Sequence, residues 1–362
     1  MIRTLRVTAC AVMCCLLLCM HGAAKAAQYR PSAIPTAPNE VLASADSISN
    51  TGIVFGSYGG SCTTGHFLWS QGGGLTDLTT DIEYRGAPNA SGQIVGTGWT
   101  EGSGYFAVVR EADGSIQHLA YLNSSDTWTE AMAVSDCGIV IGSSCSESSS
   151  CIVLWDLANG AVTQIAQGEN GELRGGLGNA AISSTGYTAW TYVTNRRYPD
   201  GHTAAIPRSF RRSPSGVVTE FPTPLTGGDW FATDVADDGT VLVSSPPPSV
   251  SYLWNPDGTL TQPALDGVAA LSDSGLMLGT LGTRDVVLGI DGSLSDLPLP
   301  EGATSMRVAD INNRGEVVGW AEFPDPNGVR AIIWEPVPEP SAFVALACGL
   351  VGILTQARKR RN

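Results

Sequence analysis

The side chains able to do chemistry in this 362-residue chain are few and scattered. Beyond residue 30 there are three histidines, His66, His118 and His202. None belongs to a His-Glu-x-x-His pair, and no cysteine is spaced to complete a metal set with one of them. No Gly-x-Ser-x-Gly elbow presents a serine nucleophile. Acidic turns recur, with Asp113 in EADGSI, Asp237 and Asp238 in VADDGT, Asp257 in NPDGTL and Asp291 in GIDGSL. A calcium loop needs oxygens at alternating positions, as in Asp-x-Asp-x-Asp-Gly, and these turns lack them, so hairpin geometry accounts for them. The sequence assigns no catalytic residue, no cofactor and no metal, and His66, which precedes a strand, takes packing or a turn hydrogen bond as its default role.

Of the nine cysteines, Cys10, Cys14, Cys15 and Cys19 lie in the first apolar stretch and Cys348 in the last. Cys62, Cys137, Cys145 and Cys151 remain. In an exported protein the pair in CSESSSC, Cys145 and Cys151, is a candidate disulfide closing a serine-rich loop; free thiols or metal ligands are the alternatives. One basic cluster stands out, NRRYPDGHTAAIPRSFRR at 195–212, with Arg196, Arg197, Arg208, Arg211 and Arg212. It reads as an inserted loop whose charges balance nearby carboxylates, with an acidic polysaccharide as the sharper alternative. Around it, residues 27–335 hold 33 Asp and Glu against 13 Arg and no Lys. That field repels nucleic acid and anionic membrane surfaces and excludes both as main partners.

What must position these residues is a repeat. Seven segments share one pattern: ADSISNTGIVFGS, GAPNASGQIVGTG, AMAVSDCGIVIGS, NAAISSTGYTAWT, ATDVADDGTVLVS, VAALSDSGLMLGT and RVADINNRGEVVGW. Their shared glycines are Gly52, Gly92, Gly138, Gly186, Gly239, Gly275 and Gly315, spaced 40, 46, 48, 53, 36 and 40 residues apart. Each unit reads as an apolar strand, a polar turn closed by glycine, and a β-branched strand. A third strand often ends in Trp (Trp69, Trp155, Trp254, Trp334), and a short fourth, as in LTDL or LSDL, follows a second glycine turn. Helical periodicity is absent. Four strands per unit, repeated seven times, predict an all-β fold, a seven-bladed β-propeller, with a curved open array or a β-sandwich pair as the runner-up. The recurrent tryptophans belong between blades. Trp99, Trp128, Trp190, Trp230 and Trp320 fall irregularly, and some of them are expected either to pack or to line a face and stack on sugars. Ring closure is the open point: residues 28–44 must supply the missing strand, and Pro31, Pro35 and Pro38 suit an edge strand poorly.

INNRGEVVGW, GHFLW and LTDL resemble the bacterial extracellular HAF repeat, whose unit reads Ile-Asn-x-x-Gly-x-Val-Val-Gly, then His-Ala-Phe-Leu-Trp, then Asp-Leu-Gly. The resemblance covers about residues 45–335; only the unit at 307 keeps the first motif whole, and only His66 keeps the histidine. It implies an exported β-repeat protein and no particular activity.

The two ends are of another kind. Residues 1–27 carry Arg3 and Arg6, an apolar core from Val7 to Met20 and the small-residue stretch GAAKAA, the pattern of a secretory signal peptide cut after Ala26 or Ala27. An uncleaved anchor is the alternative, disfavoured because the core is short for a bilayer. At the other end, Val337, Pro338, Glu339, Pro340 and Ser341 precede an apolar run at 342–357 and the basic stop Arg358, Lys359, Arg360 and Arg361. The three parts in this order closely resemble the PEP-CTERM sorting signal. The prolines hold the motif extended, the apolar run stalls in the inner membrane, and the arginines keep the end cytoplasmic. At ~24 Å as a helix the run suits a temporary anchor. The resemblance implies an exosortase as processing partner and delivery to a surface rich in exopolysaccharide. The expected protein is therefore a signal peptide (1–27), a β-repeat ectodomain (28–335) and a sorting signal (337–362). It is expected to be a non-enzymatic surface or matrix protein, with a polysaccharide-acting propeller enzyme as the alternative and ice binding as a further one.

Overall fold

The computed structural model describes residues 28–35, 43–60, 63–78, 80–101, 104–146, 150–167, 177–197, 203–222, 229–245, 250–324 and 328–337. Residues 1–27, expected as a signal peptide, the tail beyond Val337, Cys62 and His202 lie outside them. Among the described residues the chain forms seven four-stranded antiparallel sheets, the blades of a β-propeller. In numerical order the blades span 43–77, 82–118, 128–167, 177–220, 231–261, 267–296 and 305–337. Within the first six blades the strands run in chain order from the innermost outward.

Why the blades must assemble is visible in their second strands. In Ile139–Cys145 of blade 3, neighbouring residues point to opposite faces. Val140 packs into a cluster with Val95, Ala107 and Val109 of blade 2, while Ile141 packs with Trp190 and Tyr192 of blade 4. Both faces are buried, so these strands read as unbroken apolar runs and not as alternation. Seven such clusters occur, one for each pair of neighbouring blades, including blade 7 with blade 1. The recurrent tryptophans sit where expected. Trp155, Trp254 and Trp334 are buried and Trp69 is half-buried, each against the preceding blade. Trp155 and Trp334 also donate Nε1–H to carbonyls of the preceding connection, Ala120 O at 2.7 Å and Pro298 O at 2.8 Å.

The ring closes through the first strand, Gln28–Ala33, which pairs antiparallel with the last, Val329–Val337, as the outermost strand of blade 7. The prolines do not prevent this. Pro31 lies opposite Trp334 on an edge strand, where one row of N–H groups faces away from the sheet, and Pro35 comes after the strand has ended. Pro336 lies past Trp334, the last residue of its strand to pair with the second strand of the blade. The last strand runs through Val337, two residues past the ectodomain boundary expected at 335 and onto the first residue of the expected sorting motif.

The shared glycines close the turn between first and second strands. Gly138 adopts φ +76°, and its N–H bonds to Ser135 O at 3.1 Å. The Ser135 hydroxyl accepts the Ile139 N–H at 2.9 Å, so one small polar side chain completes the turn. Four residues on, Gly142 serves a different end. A Cβ there would press on the Glu130 carbonyl and stand 2.8 Å from the Trp155 ring, so the absent side chain admits both the innermost strand and the tryptophan.

The candidate disulfide does not form. Cys145 and Cys151 are free thiols, because Cys145 pairs with Ser150 and Cys151 with Ser144 in the hairpin register. Adjacent register positions place the two sulfurs on opposite faces of blade 3. The basic cluster is not an inserted loop either: its described residues belong to two ten-residue strands, Thr188–Arg197 and Thr203–Arg212.

The two glycines separate two costs. Gly138→Ala, which meets only ordinary contact with Leu157, should lose roughly 1–2 kcal/mol for the left-handed backbone alone. Gly142→Ala should lose about 3 kcal/mol or more through overpacking. Denaturant unfolding of both variants checks the order, which a turn-only role for the repeat glycines would reverse.

Candidate functional site at the propeller axis

The innermost strands of all seven blades end around one cavity of about 120 Å³. Its wall takes Ile48, Asn89, Val134, Ile182, Asp234, Leu271 and Ile311, one from each blade in turn. In blades 1, 3, 5, 6 and 7 the innermost strand carries a register shift just before its end. Such a bulge re-aims the following side chain. At the position after the bulge most blades carry a small residue, Ser47, Ala133 or Ala270, but blades 5 and 7 carry Asp234 and Asp310.

These two aspartates work as links between blades. Asp310 accepts the Ile48 N–H of blade 1 at 2.9 Å and the Ile311 N–H at 2.8 Å. Asp234 accepts the Leu271 N–H of blade 6 at 2.9 Å and the Val235 N–H at 2.8 Å. A third carboxyl, Asp273, reaches over the mouth of the cavity. It accepts from Asn50 Nδ2 of blade 1 at 2.7 Å and from the Ser184 N–H of blade 4 at 3.3 Å. Around it the turns are stitched to their neighbours: Asp136 accepts the Ala90 N–H at 2.6 Å, Asp237 the Thr185 N–H at 2.9 Å, and Asn313 the Ser274 N–H at 2.7 Å.

Burial away from water disfavours the charged carboxylate. It pushes Asp234 up to about 8, with the charges of Asp310 and Asp273 adding to the rise and its two N–H bonds opposing it. Asp310 and Asp273 are each pushed up to about 6, burial again leading. The arrangement can hold protons near neutral pH and bind backbone N–H groups. Among the described residues no group of three or more His, Cys, Asp and Glu is placed to hold a metal ion.

The residues singled out by type do not converge here. His66 lies on the third strand of blade 1, its ring 5.4 Å from Phe55 and edge-on to Tyr84, and burial lowers its pKa. His118 stacks on Phe106 at 4.5 Å. Asp113, Asp257 and Asp291 cap their own hairpins by accepting the N–H groups of Ser115, Thr259 and Ser293, each at 2.9 Å. Asp238 does the same for Thr240 at 2.7 Å. The basic cluster divides: Arg208 forms a two-pronged pair with Glu220, both contacts at 2.8 Å. Arg211 turns inward over the Trp254 ring at 4.3 Å and donates to the carbonyls of Gly239, Trp254, Asn255 and Pro256. Of the irregular tryptophans, Trp190 and Trp230 are buried, Trp320 is half-buried, and Trp99 and Trp128 are exposed.

Sequence reasoning passed over Asp234 and Asp310. The signal lay in ATDVADDG and RVADINN, where a carboxylate interrupts a position that the other units fill with Ser or Ala, or that continues apolar.

This fold and this axis define the class: a seven-bladed β-propeller whose central mouth is lined by carboxyl groups. No protein family matches the chain, and no curated protein matches it. Solved structures do. A virginiamycin B lyase from Staphylococcus aureus with quinupristin is 12% identical, with 86% of this chain and 100% of that one covered and a TM-score of 0.53. An oligogalacturonate lyase from Vibrio parahaemolyticus is 12% identical over 87% and 99% of the two chains, with a TM-score of 0.52. An oligogalacturonate lyase in complex with manganese is 11% identical over 88% and 99%, with a TM-score of 0.54. At these identities the likeness carries the propeller fold alone.

The raised aspartates set a sign for stability against pH. A group with its folded pKa above its unfolded value binds more protons folded, so its contribution is full below about pH 4 and is lost as pH rises toward 8. Each unit of separation is worth roughly 1.4 kcal/mol. The melting temperature should therefore fall between pH 5 and pH 8. Asp234→Asn, which forfeits one N–H acceptor, should melt lower at pH 5 yet show a flatter slope. An unchanged slope in that variant would remove Asp234 as the source.

Proposed function

We propose that the chain is an exported, non-enzymatic propeller of the cell surface or exopolysaccharide matrix. It is made as a membrane-anchored precursor and trimmed by an exosortase at residues 337–341. The observation that carries this reading is the order of three segments at the end of the chain: Val337, Pro338, Glu339, Pro340 and Ser341, the apolar run at 342–357, and Arg358, Lys359, Arg360 and Arg361. A run of that length reaches only ~24 Å as a helix, which favours a temporary anchor. The segment lies outside the described residues, and among the described residues no helix is long and apolar enough to cross a membrane.

Two structural features agree with it. The last strand, which pairs with the ring-closing strand Gln28–Ala33, ends at Val337, so removal of the residues beyond it leaves the described strands of every blade in place. At the axis, Asp234 and Asp310 each accept one N–H from the next blade and one from their own, and Asp273 of blade 6 accepts from blades 1 and 4 across the mouth, which makes the mouth a joint in the scaffold. A second reading, a polysaccharide-acting propeller enzyme, draws on the lyases among the solved propellers and on the raised pKa values of Asp234 and Asp273. Turnover on neutral and acidic polysaccharides would favour it.

Terminal peptides identified by mass spectrometry in membrane and surface fractions of the producing cell test the main reading. A surface form that begins near Ala27 and lacks everything beyond about Ser341 is expected. A chain that still ends Arg360-Arg361-Asn362 in every fraction would sink the processing step.

A further inference from the structure

On the side of the propeller away from the axial cavity, blades 2 and 3 end their shared apolar seam in three exposed aromatic rings. Trp99 is 56% exposed, Tyr105 44% and Trp128 45%. The placement follows from the strands. Ile94–Thr100 leaves the turn at Asn89, which lines the cavity, and reaches Trp99 near its far end. Trp128 begins the innermost strand of blade 3, whose last residue, Val134, lines the cavity. Trp99 and Tyr105 are direct cross-strand partners. Tyr105 and Trp128 stack across the seam with centroids 4.8 Å apart and planes at 27°.

The rings sit on a rigid base. Behind Trp128 the connection is held by buried Asp126, which accepts the Ser144 hydroxyl at 2.7 Å and the Asn123 N–H at 3.1 Å. Thr127 N–H bonds to Cys145 O at 2.9 Å, and the Thr129 hydroxyl accepts the Ala107 N–H of blade 2 at 2.8 Å. Large aromatics held on strands at half exposure, when the same seam buries its other apolar side chains, mark a binding surface. The rings need no further ordering to receive a ligand.

We propose that Trp99, Tyr105 and Trp128 form a stacking platform for an uncharged polysaccharide. One face of a pyranose ring is a layer of C–H groups, which packs on the electron-rich face of an aromatic ring while the hydroxyls at its rim stay hydrated. The three rings carry no charge, and residues 27–335 carry 33 acidic side chains against 13 basic ones. That field disfavours a polyanion, so a uronic-acid polymer or a nucleic acid is the wrong partner and a neutral glycan the right one. The proposal deepens the surface reading above and rests on it for the presence of a glycan.

The test is native gel electrophoresis of the full-length chain in mild detergent, through gels containing hydroxyethylcellulose, galactomannan or polygalacturonate. Retardation by at least one neutral polymer and not by polygalacturonate is expected. Trp99→Ala with Trp128→Ala should weaken it about tenfold or more, in line with the worth of a lost aromatic stack. If that double variant melts early, Trp99→Ala alone, at the most exposed ring, gives the reading. The proposal is overturned by retardation in polygalacturonate only, by none in any neutral gel, or by retardation that survives the substitutions. It is overturned equally by a dimer in size-exclusion chromatography that the same substitutions dissolve. An intact tail in cells with glycan retardation preserved would remove the sorting step and leave the platform standing. A trimmed tail with no retardation would do the reverse.

Discussion

Each blade of this protein is apolar on both faces, and that single constraint organises the molecule. A four-stranded sheet with Val140 on one side and Ile141 on the other has no solvent face, so it is unstable without a neighbour on each side. The same need recurs around the ring until blade 7 meets blade 1 through Val318 and Ile333 against Ala45 and Val54. Closure is therefore a requirement of burial. The strand Gln28–Ala33 meets it by completing blade 7, although its proline is a poor strand former.

The same demand for closeness shapes the axis. Seven innermost strands converge where little water fits, and their terminal N–H groups need partners. Ser, Asn and Asp side chains supply them: Ser135 within its own turn, Asp234 and Asp310 from one blade to the next, and Asp273 over the mouth. Burying carboxyl groups raises their pKa values, and the protein accepts that cost where each oxygen gains a backbone donor. The elevated values come from burial, and the backbone donors that these oxygens accept oppose the rise.

The two ends of the propeller differ in chemistry. One gathers carboxyl groups in a small cavity already laced by hydrogen bonds. The other, at the seam of blades 2 and 3, presents uncharged rings outward. On an acidic protein the second is the surface able to receive a large neutral partner.

The repeat, the seven blades and the turn glycines were legible in the sequence because they are local. A positive φ demands glycine, two buried faces demand an unbroken apolar strand, and both recur at a readable interval. The buried tryptophans at the ends of third strands were legible for the same reason. What tertiary structure alone decided depends on which residues meet across long separations. The closing strand pairs Pro31 with Trp334, two residues 303 positions apart. The sulfurs of Cys145 and Cys151 part because the hairpin register, and not their spacing, sets which face each takes. Trp190 is buried while Trp128 is exposed, although both fall irregularly in the repeat, because one lies inside its strand against Ile141 and Ile152 of blade 3 and the other begins its strand at the end away from the cavity. Asp234 and Asp310 came together at the axis for a like reason: a pattern of neighbours along the chain records what a residue is, and only the closed ring determines what it faces.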